Sequence, residues 1–469
     1  MDIPPFMKIR ALASRVVSFV KRFRVDLVLI LFVFLSTLVS VFPEGVDSVH
    51  LGARLSNSPN EIVEIFGLSD GGSYLKAAIE LSTLGGLTTD KFWVINLWPP
   101  GMVIVNAALI EVFGNGYGVA YGLLIVIVWT TLLSAFAVKV LRRFGSLAAF
   151  TSSALVLVSG PMQSWIFGSG LFYAEGFSTA AYLSGLILLI KSSQSIVKSR
   201  MISLGFLAGT SFAAAAYFRS SFSLIEPALL LMTLVFSILY FAGRYSLSNR
   251  RVRSKLTATA LPLGSAWIAM TLLMEPWLRF TEMAIRPGLR TWSVVSGGFF
   301  RGAWVERNEM AGFLANGGVG WACELDPDTC QEIAASEAAT GQLFPISEIV
   351  LLTVKTALLN LDQYLLDRFE FISTGWFSNE ASGMGTPAVL WGFILLVGFV
   401  LVVSLIVRKI SSNNYILASI LILAVILTLP LFIGHIEPRY FIPLKMLILL
   451  IPWIMSPNDA IDHKNSSRW

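Results

Sequence analysis

Charge is scarce in this chain: only 13% of its 469 residues are Asp, Glu, Lys or Arg, about half the roughly 25% of a soluble domain. Histidine and cysteine are scarcer, at three and two residues, too few and too scattered for a zinc site. The sequence also lacks a Walker loop, HExxH, GxSxG and a dinucleotide fingerprint, so nucleotide-dependent and proteolytic chemistry has no support. What is abundant is apolar. With 55% hydrophobic residues and a mean hydropathy of +0.73, several runs exceed the roughly 18 residues needed to cross a bilayer. The expectation is an all-α polytopic membrane protein with loops and no separate soluble domain.

Ten spans can be drawn: 25–43, 117–141, 146–167, 171–190, 201–218, 222–242, 256–274, 386–407, 414–434 and 441–456. The third is interrupted by Gly160-Pro161 and the last is short. A further apolar helix from Pro100 to Phe113, carrying Asn106 and Glu111, is too brief to span and reads as lying on the membrane surface. Tryptophans near span ends (Trp98, Trp277, Trp453) read as interface anchors. The chain divides into a transmembrane module (1–274) with a large first outer loop (44–116), a second outer loop region (275–385) and C-terminal helices (386–469).

Basic residues fix the orientation. With the N-terminus inside, the short cytoplasmic segments hold 21 of the 34 Lys and Arg residues and only four of the 29 acidic ones, Asp2, Asp26, Asp459 and Asp462. That asymmetry obeys the positive-inside rule. The net charge of +5 is therefore a topology signal, and no nucleic-acid partner is implied. Both termini are expected in the cytoplasm, and the first span resembles an anchor more than a removable signal peptide.

The opposite face then carries the groups that could react. In the first loop these are Glu44, Asp47, Asp70, Lys76, Glu80 and Asp90; beyond it lie Glu175 at one outer turn, Arg219 and Glu226 around another, His435, Glu437 and Arg439 at a third, and Lys445 one turn into the last span. In the second loop Cys323 and Cys330 are spaced so that a turn brings them into bonding range, and a disulfide there suits an oxidising compartment. Carboxylates and arginines converging on one bilayer face suit a reaction on a lipid phosphate. The cation grips the phosphate and a carboxylate takes the proton of an attacking hydroxyl. Asp70 before Gly-Gly also suits a turn or helix cap. A carboxylate at the depth of Glu175 costs about 2.5 kcal/mol or more unless paired.

Several stretches share a pattern: Asp70-x3-Tyr74-x2-Ala77-Ala78, Pro99-Pro100-Gly101, a helix ending Phe113-Gly114, Tyr173-Ala-Glu175, Gly205-x3-Gly209 followed by Arg219, and Glu437-Pro-Arg439-Tyr440-x2-Pro443. In this order they resemble the integral-membrane glycosyltransferases of the GT-C fold, in the branch of protein O-mannosyltransferases and lipid A aminoarabinose transferases. The resemblance covers residues 1 to about 240 and, more loosely, the last 60. It implies a GT-C-like bundle of about ten helices with two large extracytoplasmic loops. By the same resemblance Asp70 is the base that activates the acceptor, with Asp47 as rival, because this chain has Gly71 where the family shows a second acidic residue. Glu175 orients the acceptor or assists with a metal. Arg439, Arg219, Lys76 and Tyr440 hold the lipid phosphate. The partners implied are the bilayer, a polyprenyl-phosphate sugar donor and an extracytoplasmic acceptor (protein, glycan or lipid), in a bacterial inner membrane. No cofactor is expected, a divalent cation being the open alternative. The rival enzyme is an O-antigen ligase or polymerase, which would depend on the arginine-rich second loop and Arg301. A transporter would place ionisable groups at mid-membrane in matched halves, a pattern not found here.

Overall fold

A computed structural model describes residues 24–42, 55, 57–66, 70–84, 99–168, 171–246, 250–282, 326–340, 345–377, 388–410, 415–428 and 438–455. Among these residues the secondary structure is helical, without strands. Six stretches are long and apolar enough to cross a membrane: Arg24–Val41, Gly101–Phe144, Lys198–Phe218, Ser220–Ala242, Ser254–Arg279 and Trp391–Lys409. The protein is thus an all-α, multi-pass membrane protein. The other four expected spans are not among the six: 146–167 and 414–434 contain only the shorter apolar helices Ser146–Leu157 and Tyr415–Ile426, and neither 171–190 nor 441–456 forms a helix of that length and apolarity.

The helices that position the site are α1 (Arg24–Val41), α2 (Pro59–Phe66), α3 (Asp70–Leu84), α4 (Gly101–Phe113), α5 (Tyr117–Phe144), α6 (Ser146–Leu157), α7 (Glu175–Gln194), α8 (Lys198–Phe218), α9 (Ile225–Ser246) and α10 (Arg250–Glu282). After α11 (Pro327–Thr340), α12 (Ile346–Leu359) and α13 (Leu361–Phe377) come α14 (Ala388–Ile410) and α15 (Tyr415–Ile426). A closing segment of short helical turns follows over residues 438–454.

Helix α7 is the centre of the bundle. It is buried on almost every side, packed against α8, α5, α15 and the closing segment, as expected of a helix with no polar stripe. Small residues let its neighbours approach. A β-carbon at Gly185 would lie 2.4 Å from the Phe212 ring of α8. On α8, one at Gly205 or Gly209 would come within 2.6 and 2.0 Å of the Pro262 and Ala266 carbonyl oxygens of α10. This is the small-residue packing by which membrane helices associate where lipid tails are as apolar as leucine.

Two breaks have local causes. Gly114 has φ +52°, and the chain turns back there: Tyr117 Oη donates to Asn106 Oδ1 at 3.0 Å, although eleven residues of straight helix would separate their Cα atoms by about 16 Å. Helix α6 stops at Leu157 because Pro161 has no N–H to offer the Leu157 carbonyl. The Gln163 side chain takes that place, its Nε2 donating to Leu157 O at 2.5 Å and to Ser40 Oγ of α1 at 3.3 Å. Trp277 and Trp453, expected as interface anchors, are each 2% exposed and lie inside the protein, Trp277 against Tyr217.

Candidate active site

Helix directions bring four charged residues to one end of the bundle. Glu175 opens α7 and Arg219 follows the last residue of the antiparallel α8. Lys191, Lys198, Arg142 and Arg143 lie at the other ends of α7, α8 and α5. Asp70 opens α3 and Arg439 lies in the first turn of the closing segment.

Packing explains how a loop carboxylate reaches this place. Tyr121 of α5 donates to Leu171 O at 2.8 Å and stacks on Phe172 at 4.8 Å, fixing the turn that leads into α7. Helix α3 docks on that turn through Gly71, where a β-carbon would lie 3.2 Å from Phe172 O and 3.3 Å from its Cβ. Gly71 is thus a point of close approach beside Asp70. Helix α4 docks next to it, with Gly101 against the Tyr217 carbonyl, two residues before Arg219.

The charges form a chain of ion pairs. Arg439 Nη2 donates to Asp70 Oδ2 at 2.6 Å, and its Nε lies 3.5 Å from Glu175 Oε1. Arg219 Nη1 donates to the same Glu175 oxygen. Two carboxylates and two guanidiniums balance to zero. Glu175 is 2% exposed and Arg439 8%, and removing one partner of such a buried pair leaves a charge uncompensated. Helix α7 adds its N-terminal dipole in favour of the Glu175 carboxylate.

Tyrosines wall the site. The Arg219 guanidinium sits 4.2 Å from the Tyr440 ring centroid, and Arg439 lies 4.9 Å from Tyr173 and 5.8 Å from Tyr440. Tyr173 meets Trp165 edge-on at 6.0 Å. Tyr74, one turn after Asp70, is buried, and burial together with the Asp70 and Glu175 charges raises its phenol above the ordinary tyrosine range. It is held as a neutral hydroxyl. One oxygen in this crowded place has no partner: Glu175 Oε2 is buried and accepts no hydrogen bond among the described residues.

Asp70, Glu175, Arg219, Arg439 and Tyr440 therefore come together. Lys76 shares α3 with Asp70 but, six residues on, projects about 240° around the helix from it. Glu226 donates its carboxylate to a different task, accepting from Thr271 Oγ1 of α10 at 2.8 Å. Asp47, Cys323, Arg301, His435 and Glu437 lie outside the described residues, so the rival base and the disulfide with Cys330 do too. The walls formed by Tyr74, Tyr173 and Trp165 had no individual role in the sequence; Tyr74 and Tyr173 were signalled by lying within four residues of Asp70 and Glu175, whereas Trp165 has no ionisable neighbour in the chain. Among the described residues no group of three or more His, Cys, Asp or Glu side chains is placed to hold a metal ion. Compared with known proteins, the chain matches no family model, no curated protein and no solved structure.

Proposed function

We propose that this protein is a glycosyltransferase of GT-C type that moves a sugar from a polyprenyl-phosphate donor to an acceptor on the extracytoplasmic face. The observation that carries this is the buried Asp70–Arg439–Glu175–Arg219 chain at one end of the bundle, opposite the basic helix ends. Asp70, the more exposed carboxylate at 29% of its side chain, is the base: it takes the proton of the acceptor hydroxyl as that oxygen attacks the anomeric carbon. The bond from that carbon to the phosphate oxygen breaks, and the lipid phosphate leaves with the electron pair. Glu175 is the buried anchor whose free oxygen accepts a hydrogen bond from a sugar or acceptor hydroxyl. Arg439 and Arg219 hold the two carboxylates in place and make the site attractive to an anionic donor, and Tyr173 and Trp165 supply aromatic faces against which a sugar ring packs. A bundle of about ten spans with two large outer loops, in a bacterial inner membrane, belongs to the same proposal, as do Asp47 as the alternative base and Lys76 as a further phosphate contact.

The test is transfer or hydrolysis by the purified protein supplied with radiolabelled polyprenyl-phosphate sugars, with and without chelator. Asp70→Asn is expected to lower the rate about 10²-fold or more. Activity that survives Asp70→Asn but vanishes with Arg301→Ala would favour the ligase or polymerase reading, and no turnover with any donor would count against the enzyme class.

A further inference from the structure

Both arginines of the site are committed to carboxylates, and Arg439 is bonded directly to the proposed base. In an inverting displacement the base and the leaving phosphate lie on opposite faces of the sugar. Hydrogen bond, attack distance and breaking bond together space them by roughly 7–8 Å. A guanidinium bonded to the base is poorly placed to be the phosphate's main ligand.

A cation with no ion pair among the described residues lies further along the same segment. Lys445 is 5% exposed and makes no ion pair among the described residues; its Nζ lies 5.6 Å from the Trp376 ring centroid. That ring is itself fixed, Nε1 donating to Gly392 O of α14 at 3.0 Å and its edge meeting Phe441 at 5.9 Å. Six residues of tight helical turn carry Lys445 roughly 9–12 Å beyond Arg439 and back to a similar side of the segment. The turn Ile442–Lys445 packs on α7. On α7, Thr179, one turn after Glu175, has a buried hydroxyl with no partner among the described residues. A buried lysine with no acid paired to it among the described residues is costly in a membrane protein and marks a place where an anion is expected.

We infer that Lys445, beneath the Asp70–Glu175 site and walled by Trp376, holds the phosphate of the lipid-linked donor. This inference rests on the glycosyltransferase reading and moves the phosphate away from the base, to the far side of the reacting carbon. The shared chemistry is a phosphate oxyanion, and the lipid headgroup is its source.

The experiment measures binding of undecaprenyl phosphate, undecaprenol and inorganic phosphate to the full-length protein in nanodiscs. Wild type, Lys445→Met, Lys445→Arg and Arg439→Ala are compared, each checked for folding by thermal unfolding. Wild type is expected to prefer undecaprenyl phosphate to undecaprenol; Lys445→Met should weaken the phosphate lipid about tenfold or more, and Lys445→Arg should restore most of it. If wild type prefers the phosphate lipid and Lys445→Met binds it equally well while Arg439→Ala does not, the phosphate sits at the arginines and the inference fails alone. If wild type does not distinguish phosphate from alcohol, the lipid-donor reading itself fails. Inorganic phosphate binding as tightly as the lipid would overturn the headgroup as the source.

Discussion

Asp70 and Arg439 stand 369 residues apart in the chain and 2.6 Å apart in the fold. One opens a helix of the first loop and the other sits in the closing segment, so their pairing joins the two ends of the protein at the candidate site. With the side chains 29% and 10% exposed, solvent screens the pair in part. A double-mutant cycle of Asp70→Asn and Arg439→Gln, read by thermal unfolding in detergent, should show a coupling of about 1 kcal/mol. Strictly additive single effects would mean the contact is not made.

Glu175 should behave differently, because it is buried and serves two arginines. Glu175→Ala leaves both guanidiniums without their shared partner and should destabilise the protein by about 3 kcal/mol. Adding Arg219→Ala should recover part of that loss. A single variant as stable as wild type would show that water already reaches the pair.

The helices were largely legible in the sequence, since long apolar runs leave a membrane chain few alternatives to helix. The stop at Leu157 was legible too, through Gly160-Pro161. Which side of a helix meets protein was not: Trp277 and Trp453 lie inside because lipid and protein interior are equally apolar, and periodicity does not separate them. At the site, Asp70, Glu175, Arg219 and Arg439 stood out because ionisable groups among apolar ones demand an explanation. Their pairing did not. No local pattern announces a partner hundreds of residues away, and no spacing rule shows that Gly71 faces Phe172 or that Tyr117 reaches back to Asn106.

Tyr74 makes the pH dependence testable. Its folded pKa lies above the unfolded value of about 10 because of burial and the nearby carboxylates. The stability tied to its proton is therefore complete below pH 10. Above that the unfolded chain releases the proton first, and stability falls. Thermal unfolding followed from pH 9 to 11 should drop more steeply for wild type than for Tyr74→Phe; parallel slopes would place Tyr74 in contact with water.

Gly209 gives a test of the scaffold remote from the charges. With the Ala266 carbonyl 2.0 Å from where its β-carbon would be, Gly209→Val must push α8 off α10. A loss of about 1–3 kcal/mol is expected, with a drop in donor turnover because Arg219 rides on the end of α8. Unchanged unfolding temperature and turnover would show the two helices free to part at no cost.

The closing segment also has a consequence in time. Both carboxylates, and Arg219 with them, are synthesised in the first half of the chain, whereas Arg439 and Lys445 emerge within its last 31 residues. A nascent chain that has already threaded its first eight helices still carries an acidic site short of its cations. On the proposed glycosyltransferase reading, such a chain lacks Arg439 and Lys445 and is expected to be inert until its final turns pack against α7.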